Sequence, residues 1–251
     1  MRLPQQLRRI RERTRTELSE ETRDALRRMV AELKARGAAL PAVRAGMPAP
    51  RFALPDLQGR TVDIADRLAR GPVVLNFYRG GWCPYCNAEL RALQLALPAL
   101  SGLGASLVAL SPDLPDHSLT LAEKLALDFD ILSDLGNMVA RQWGLVFRVP
   151  DDVRAAFLAA GLDLSRRNGD SSWELPIPAT YLIGGDGVVR LAFVDADFTE
   201  RLDPTVLVDT LRSDAVARPA MHDTAMIAAI APSDPCRPIP ARRADRKGRP
   251  S

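Results

Sequence analysis

Val73-Val-Leu-Asn-Phe-Tyr-Arg-Gly-Gly-Trp-Cys-Pro-Tyr-Cys-Asn-Ala-Glu-Leu90 runs from a β-branched and aromatic stretch, through two glycines, into a segment of helix formers, with two cysteines at the junction. Residues 73–78 have the composition of a buried strand, and residues 84 to about 97 are helical, with Leu90, Leu93 and Leu97 on one side. Residues 105–110 form the next strand, so the three segments make a β-α-β unit long enough for a right-handed parallel crossover. With Pro84 as the first helical residue, Cys83 is the N-cap and Cys86 the third helical position. Both sulfurs are then expected to face free backbone N–H groups at the positive end of the helix dipole, where a thiolate is favoured. The Cys-x-x-Cys spacing lets the two sulfurs close into a disulfide without unfolding the helix, and that is a redox centre. Two other readings stand beside it. A structural zinc site needs two further ligands, and the chain offers Cys236, His117 and His222. A pair of inert core cysteines fits the burial habits of the residue but leaves the Gly80-Gly-Trp82 lead-in unexplained.

Outward from this unit, residues 115–127 and 136–143 are helices around a short strand at 129–132, and 151–160 is one more helix. Ala179-Thr-Tyr-Leu-Ile183 and residues 188–194 are strands joined by Gly184-Gly-Asp-Gly187, a hairpin signal because several of those positions tolerate positive φ. Asp203 and Pro204 start a last helix to about residue 212 as N-cap and N1. Parallel strands first, an antiparallel hairpin later and a closing helix describe an α/β fold with a central mixed β-sheet flanked by helices. Upstream, residues 4–36 are helical, as two helices or one bent helix docked by a narrow apolar stripe. There Ser19 caps, Glu20 and Glu21 lie in the first turn, and Leu26, Met29, Val30 and Leu33 recur before Gly37. The prolines of Met47-Pro-Ala-Pro-Arg-Phe-Ala-Leu-Pro55 open an extended stretch. The expected organisation is an N-terminal helical extension over 1–40, a core domain over 41–216 and a Pro/Arg-rich disordered tail over 217–251.

The composition of the 251 residues, 47% apolar and 26% charged, suits one large soluble domain and excludes a wholly disordered chain. Residues 1–37 carry a net +5, residues 38–236 a net −7 and residues 237–251 a net +5, so a mildly acidic body lies between basic ends. That distribution argues against a body built around nucleic acid. Six arginines in residues 1–15 interrupt any signal-peptide core, and Gln94, Pro98, Ser101, Gly102 and Gly104 break the uncharged stretch at 92–112, so no membrane span is expected. Three cysteines do not make a disulfide scaffold, and a cytoplasmic setting is expected.

Three segments carry a family resemblance. Gly46-Met-Pro-Ala-Pro-Arg-Phe-Ala-Leu-Pro-Asp-Leu-Gln-Gly59, residues 77–86 and Asp186-Gly-Val-Val-Arg190 resemble, in order, the opening segment, active-site loop and hairpin of peroxiredoxin-like proteins. These are the alkyl hydroperoxide reductase and thiol-specific antioxidant group of the thioredoxin-fold superfamily. The resemblance covers about two thirds of the chain, residues 46 to 211. It implies a thioredoxin-like fold and peroxidase activity without a cofactor or resident metal. The family pattern is proline, three residues, threonine, two residues, the peroxidatic cysteine, and a glutamate three further on. Laid on this chain it places Cys86 at the peroxidatic position and Glu89 at the glutamate, with Cys83 replacing the threonine and Arg79 the proline. The arginine that the family carries at the start of the late strand is absent, since Pro178 stands there. Pro178 instead resembles the cis-proline of thioredoxins, which lies beside the dithiol and keeps a backbone edge free for substrate, and a cis Ile177–Pro178 bond is expected.

Two mechanisms follow from the resemblance. In the first, Cys86 attacks hydrogen peroxide or an organic hydroperoxide, becomes a sulfenic acid and condenses with Cys83, and thioredoxin, glutaredoxin or a small thiol reduces the disulfide. In the second, a thioredoxin-like thiol-disulfide oxidoreductase, Cys83 is the nucleophile and Cys86 resolves the mixed disulfide. Arg79 is placed to supply the positive charge of the absent arginine, against the reading of a solvated loop residue. Trp82 is placed to pack over and shield the dithiol, against ordinary core packing. Glu89 is placed to relay a proton or orient the loop, against a plain helix carboxylate. Asn168, Asp170 and Trp173 precede the Pro178 loop and are candidates to line the site. No nucleic-acid or membrane partner is expected, and no pattern marks an oligomer seam.

Overall fold

The computed structural model describes residues 2–39 and 41–217; His222, Cys236 and the tail at 218–251 lie outside the described residues. Strand β3 (Val73–Phe77) lies at the centre of a five-stranded sheet of order β5-β4-β3-β8-β9, with β4 at Ser106–Ser111, β5 at Asp130–Ser133, β8 at Ala179–Ile183 and β9 at Val189–Val194. β3, β4 and β5 pair in parallel, whereas β8 is antiparallel to both β3 and β9. The switch follows the connections. A crossover through helix α4 (Pro84–Gly102) keeps β4 parallel to β3, while the four-residue turn after Ile183 forces β9 to reverse. That turn closes through Gly184 N–H to Val188 O (2.9 Å), with Gly187 at φ +79°. β3 and β8 are buried along their whole length, which is why both are apolar except at Asn76 and Thr180, which bond each other across the two strands.

Period-two alternation divides the core. Val74, Leu107 and Leu182 lie on one side of the sheet, covered by Leu93 and Leu100 of α4 and Leu207 and Leu211 of α9 (Pro204–Ala217). Val73, Leu75 and Phe77 belong to the larger cluster on the other side, where the rings of Trp143 and Tyr181 lie 4.6 Å apart and tilted at 56°. α4 runs past Pro98, five residues beyond its expected end, and Leu100 is fully buried in the cluster with Val74 and Leu182. Asp203 caps α9 by accepting from Thr205 N–H at 3.0 Å.

The N-terminal segment is two helices, α1 (Leu3–Glu17) and α2 (Glu20–Ala35), with Ser19 between them accepting from Thr22 N–H at 3.2 Å. The buried stripe is narrow: Leu3 and Leu7 on α1, Ala25 and Met29 on α2. α1 lies against α4 and α2 against α7 (Asp151–Ala159), so the extension packs on the core, and residues 1–213 make up one compact unit. A second unit starts at Asp214.

Six short elements lie outside the expectation: β1 (Ala53–Pro55), β2 (Thr61–Asp63), α3 (Ile64–Leu68), α8 (Leu164–Asn168) and the two-stranded ribbon of β6 (Val146–Arg148) and β7 (Glu174–Pro176). Three to five residues carry too little periodicity to register, and these elements are set by their partners. α5 spans Pro115–Leu125. The helix expected at 136–143 is a 3₁₀ turn at Leu135–Asn137 followed by α6 (Met138–Gln142), because Gly136 and Asn137 adopt positive φ. Asp134 caps α6 through Val139 and Ala140 N–H, both at 2.8 Å. Residues 92–102 lie inside α4, and among the described residues no helix is long and apolar enough to cross a membrane.

Candidate active site

The loop between β3 and α4 is pinned at both ends. Tyr78 N–H continues the β3 ladder to Leu110 O (3.0 Å), and Gly81 N–H donates to Asp113 Oδ2 (2.7 Å). Asp113 is fully buried and paired with Arg167 at 3.0 Å. Gly80 is required there: at φ +141° an added Cβ would stand 2.8 Å from Asp113 Oδ1 and 2.5 Å from Trp82 Nε1. Cys83 is the N-cap of α4, Pro84 its first residue, and Cys83 O accepts the first helical bond from Asn87 N–H at 3.0 Å. The expectation that the helix N–H groups hold both sulfurs is corrected at Cys83, whose side chain makes no capping hydrogen bond. Its sulfur turns instead to a guanidinium, the stronger, charge-assisted donor.

Both sulfurs are buried free thiols within hydrogen-bonding reach of each other, and each has its own arginine. Arg79 Nη2 lies 3.3 Å from Cys83 Sγ, and Arg201 Nη2 lies 3.4 Å from Cys86 Sγ. Arg201 Nε also stands 2.7 Å from Glu89 Oε2, with the two side chains 1% and 2% exposed. Glu89 Oε1 accepts from Thr180 Oγ1 at 3.1 Å, and Thr180 is held by Asn76 Nδ2 at 2.9 Å. Two buried guanidinium groups thus face one buried carboxylate. Neutral thiols would leave a buried positive charge uncompensated, whereas one thiolate balances the set. The titration of the pair follows. Burial opposes ionisation of Cys83, but the hydrogen bond from Cys86 and the charges of Arg79 and Arg201 hold it well below the ordinary thiol value. Burial and the neighbouring negative Cys83 push Cys86 well above it. Burial also raises Glu89, against the pull of Arg201 and Thr180.

The sequence model of the AhpC/TSA family matches residues 45–192, the segment that carries the sheet, the loop and both cysteines. The chain belongs to the AhpC/TSA family. It is 30% identical over 151 residues to chloroplastic peroxiredoxin Q of Sedum lineare, covering 60% of this chain and 69% of that protein. Over 103 residues it is 32% identical to peroxiredoxin Bcp of Escherichia coli (strain K12), covering 41% of this chain and 65% of that one. The solved structure of peroxidoxin BcpB from Mycobacterium tuberculosis shares the fold, with a TM-score of 0.53, 24% identity and coverage of 68% of this chain and 97% of that one. Across the peroxiredoxin Q relatives the chain spans 59% to 69% of their length.

Within this AhpC/TSA frame the structure brings Cys83, Cys86, Arg79 and Glu89 together. Arg79 is 3% exposed, so the solvated-loop reading is corrected; its guanidinium lies between Phe198 (3.9 Å to the ring centroid) and Trp82 (4.9 Å). Trp82 packs edge-on against Phe157 at 5.4 Å. Arg79 brings positive charge to Cys83, and a second guanidinium, Arg201, reaches Cys86 from the loop between β9 and α9, outside the family match. Sequence reading missed it because Glu200-Arg-Leu202 carries no motif and only the closure of β9 on β8 brings it to Cys86. The expected cis bond before Pro178 is also corrected: among the described residues no peptide is cis. The backbone edge there is already used, since Ile177 N–H donates to Leu145 O (2.7 Å) and β7 pairs with β6. Pro178 is buried one residue before Ala179, which pairs with Phe77 at the end of β3. Trp173 lies under Arg154 of α7 (4.9 Å), and Asp170 accepts from Ser172 N–H (2.7 Å) within its own loop.

Proposed function

We propose that the chain is a thiol-dependent peroxidase with a Cys83–Cys86 redox centre, in which Cys86 attacks and Cys83 resolves. The observation that carries it is the pairing of each buried sulfur with its own buried arginine, an arrangement that holds a thiolate and receives the negative charge leaving a peroxide. Cys86 sulfur attacks the terminal oxygen of a hydroperoxide as its proton passes to the Cys83 thiolate. The O–O bond breaks, the leaving alkoxide takes the proton now on Cys83 and departs as the alcohol, and Cys86 becomes a sulfenic acid. The Cys83 thiolate then attacks that sulfur, hydroxide leaves and takes a proton from solvent as water, and the disulfide forms. Arg201 stands where it stabilises the attacking sulfur, and Glu89 with Thr180 fixes its guanidinium. A dithiol of the thioredoxin or glutaredoxin type, or a small thiol, restores the pair. The scarcity of cysteine supports a reducing, cytoplasmic setting.

A second reading, with Cys83 as the first nucleophile, is favoured by its contact with Arg79 and its depressed titration. Exchange with protein disulfides draws less support, because the β6 strand occupies the edge that an extended substrate would use. Peroxide consumption by the reduced Cys83→Ser and Cys86→Ser variants separates the orders. The Cys86-first order requires that Cys86→Ser consume no peroxide, while Cys83→Ser consumes about one equivalent and stops as a sulfenic acid trapped by dimedone. The reverse pattern makes Cys83 the nucleophile.

A further inference from the structure

We propose that Arg11 of α1 is a positioning residue for the dithiol, acting through the loop between β9 and α9 that carries Arg201 to Cys86. This rests on the peroxidase reading and adds to it what the chain's own N-terminal extension does for the site. α1, α2 and residues 195–201 all lie outside the AhpC/TSA match, which spans residues 45–192. The N-terminal segment, net +5 over residues 1–37, meets that loop where it carries Asp195, Asp197 and Glu200.

The contacts run in sequence from α1 to the sulfur. Arg11 Nη2 donates to Thr199 O and Oγ1 (both 3.1 Å) and to Glu200 Oε1 (2.5 Å), and Arg11 Nε donates to Thr199 Oγ1 (3.3 Å). Thr199 Oγ1 in turn donates to Asp197 Oδ1 (2.8 Å), while Lys34 of α2 stands 3.7 Å from both Asp195 and Asp197. The segment gripped in this way is the one that aims Arg201, whose Nη1 donates to Phe198 O and to Glu200 O (2.7 Å). With Nη1 on that backbone, Nε meets Glu89 Oε2 at 2.7 Å and Nη2 meets Cys86 Sγ at 3.4 Å. A guanidinium is a rigid plane, so a shift of residues 198–200 carries Nη2 with it. A half-exposed ion pair such as Arg11–Glu200 adds little to stability. What it fixes is the distance of a buried cation from a sulfur, and in a dry site the interaction follows that distance closely. The other titratable groups facing the sulfurs are Tyr78, Arg79, Tyr85 and Glu89. Asp113 acts on Tyr78, and Asp197 on Tyr85, from further out. Residues 78–89 belong to the same β3–α4 unit as the cysteines, whereas Arg201 comes from a separate loop and needs an outside hold.

The test follows the ultraviolet absorbance of the thiolate against pH in the reduced full chain, corrected with Cys83→Ser/Cys86→Ser, together with kcat/KM for hydrogen peroxide with dithiothreitol as reductant. Arg11→Ala should raise the lower thiolate midpoint by about one pH unit, a tenfold loss of thiolate below it. It should also lower kcat/KM by about tenfold, less than the loss expected when such a donor is removed outright. Arg13→Ala, on the same helix and paired with exposed Glu17, should leave both unchanged. In an Arg201→Met/Glu89→Gln background Arg11→Ala should move the midpoint no further, since the group it positions is gone. An unmoved midpoint in Arg11→Ala, the same rise recurring in that background, or an equal effect of Arg13→Ala overturns the assignment. No turnover of any peroxide by the parent chain overturns the peroxidase reading, and the titration then decides the role of Arg11 by itself.

Discussion

Removing the Arg201 guanidinium tests the charge balance on which the site is built. Arg201→Met keeps the length of the side chain but leaves the Glu89 carboxylate buried, 2% exposed, with Thr180 as its remaining partner. Breaking a buried pair from one side costs about 3–5 kcal/mol, a large share of the roughly 5–15 kcal/mol that holds a domain together. Adding Glu89→Gln removes the stranded charge while the amide oxygen still accepts from Thr180, so the double variant should fall only about 1 kcal/mol below the parent chain. The two substitutions should therefore be coupled by at least about 2 kcal/mol, read from urea unfolding of the reduced protein in a double-mutant cycle. Activity should not recover with stability. The double variant lacks the cation at Cys86 Sγ, and peroxide reduction should stay about 10²-fold down, as when an oxyanion donor is removed. Additive stability effects, or activity returning with stability, would refute the reasoning.

The thiol pair gives stability a signature in pH. Cys83 titrates below the ordinary thiol value of 9.0 and Cys86 above it, so the reduced chain should gain on a Cys83→Ser/Cys86→Ser variant as pH rises toward 9.0 and lose ground beyond it; a flat difference in Tm across that range would count against the thiolate. Gly80→Ala would push a Cβ to 2.8 Å from Asp113 Oδ1 at φ +141°, and calorimetry should show a loss of about 1–3 kcal/mol, with a neutral result ruling out the described loop. Arg11 of α1 holds Thr199 O and Oγ1 (both 3.1 Å) and Glu200 Oε1 (2.5 Å), beside the residue that carries the cation to Cys86. Arg11→Ala should cost about 1 kcal/mol and speed hydrogen exchange at residues 198–202; exchange confined to α1 would mean the loop stands without it.

Local pattern alone carried the β3–α4 junction. A strand, two glycines and proline at the first helical position already place Cys83 at the N-cap and Cys86 one turn in, because those preferences act within a few residues. The same holds for Ser19, for the Gly184 to Gly187 turn and for Asp203, each of which does its work through a neighbour two to four positions away. What surrounds the sulfurs was not legible that way. Arg201 lies 115 positions from Cys86 and Thr180 lies 91 from Glu89; β8 and β9 have to fold back on β3 before any of them meet. The burial of Arg79 depends on Phe198 in the same manner, and the pairing of the edge before Pro178 depends on β6 reaching it. Sequence by itself determined the dithiol and the strand and helix that present it, since these rest on short-range backbone preference. Tertiary structure decided which charges face each sulfur, because a charge is only worth its distance and its burial, and both are set by contacts between residues far apart in the chain.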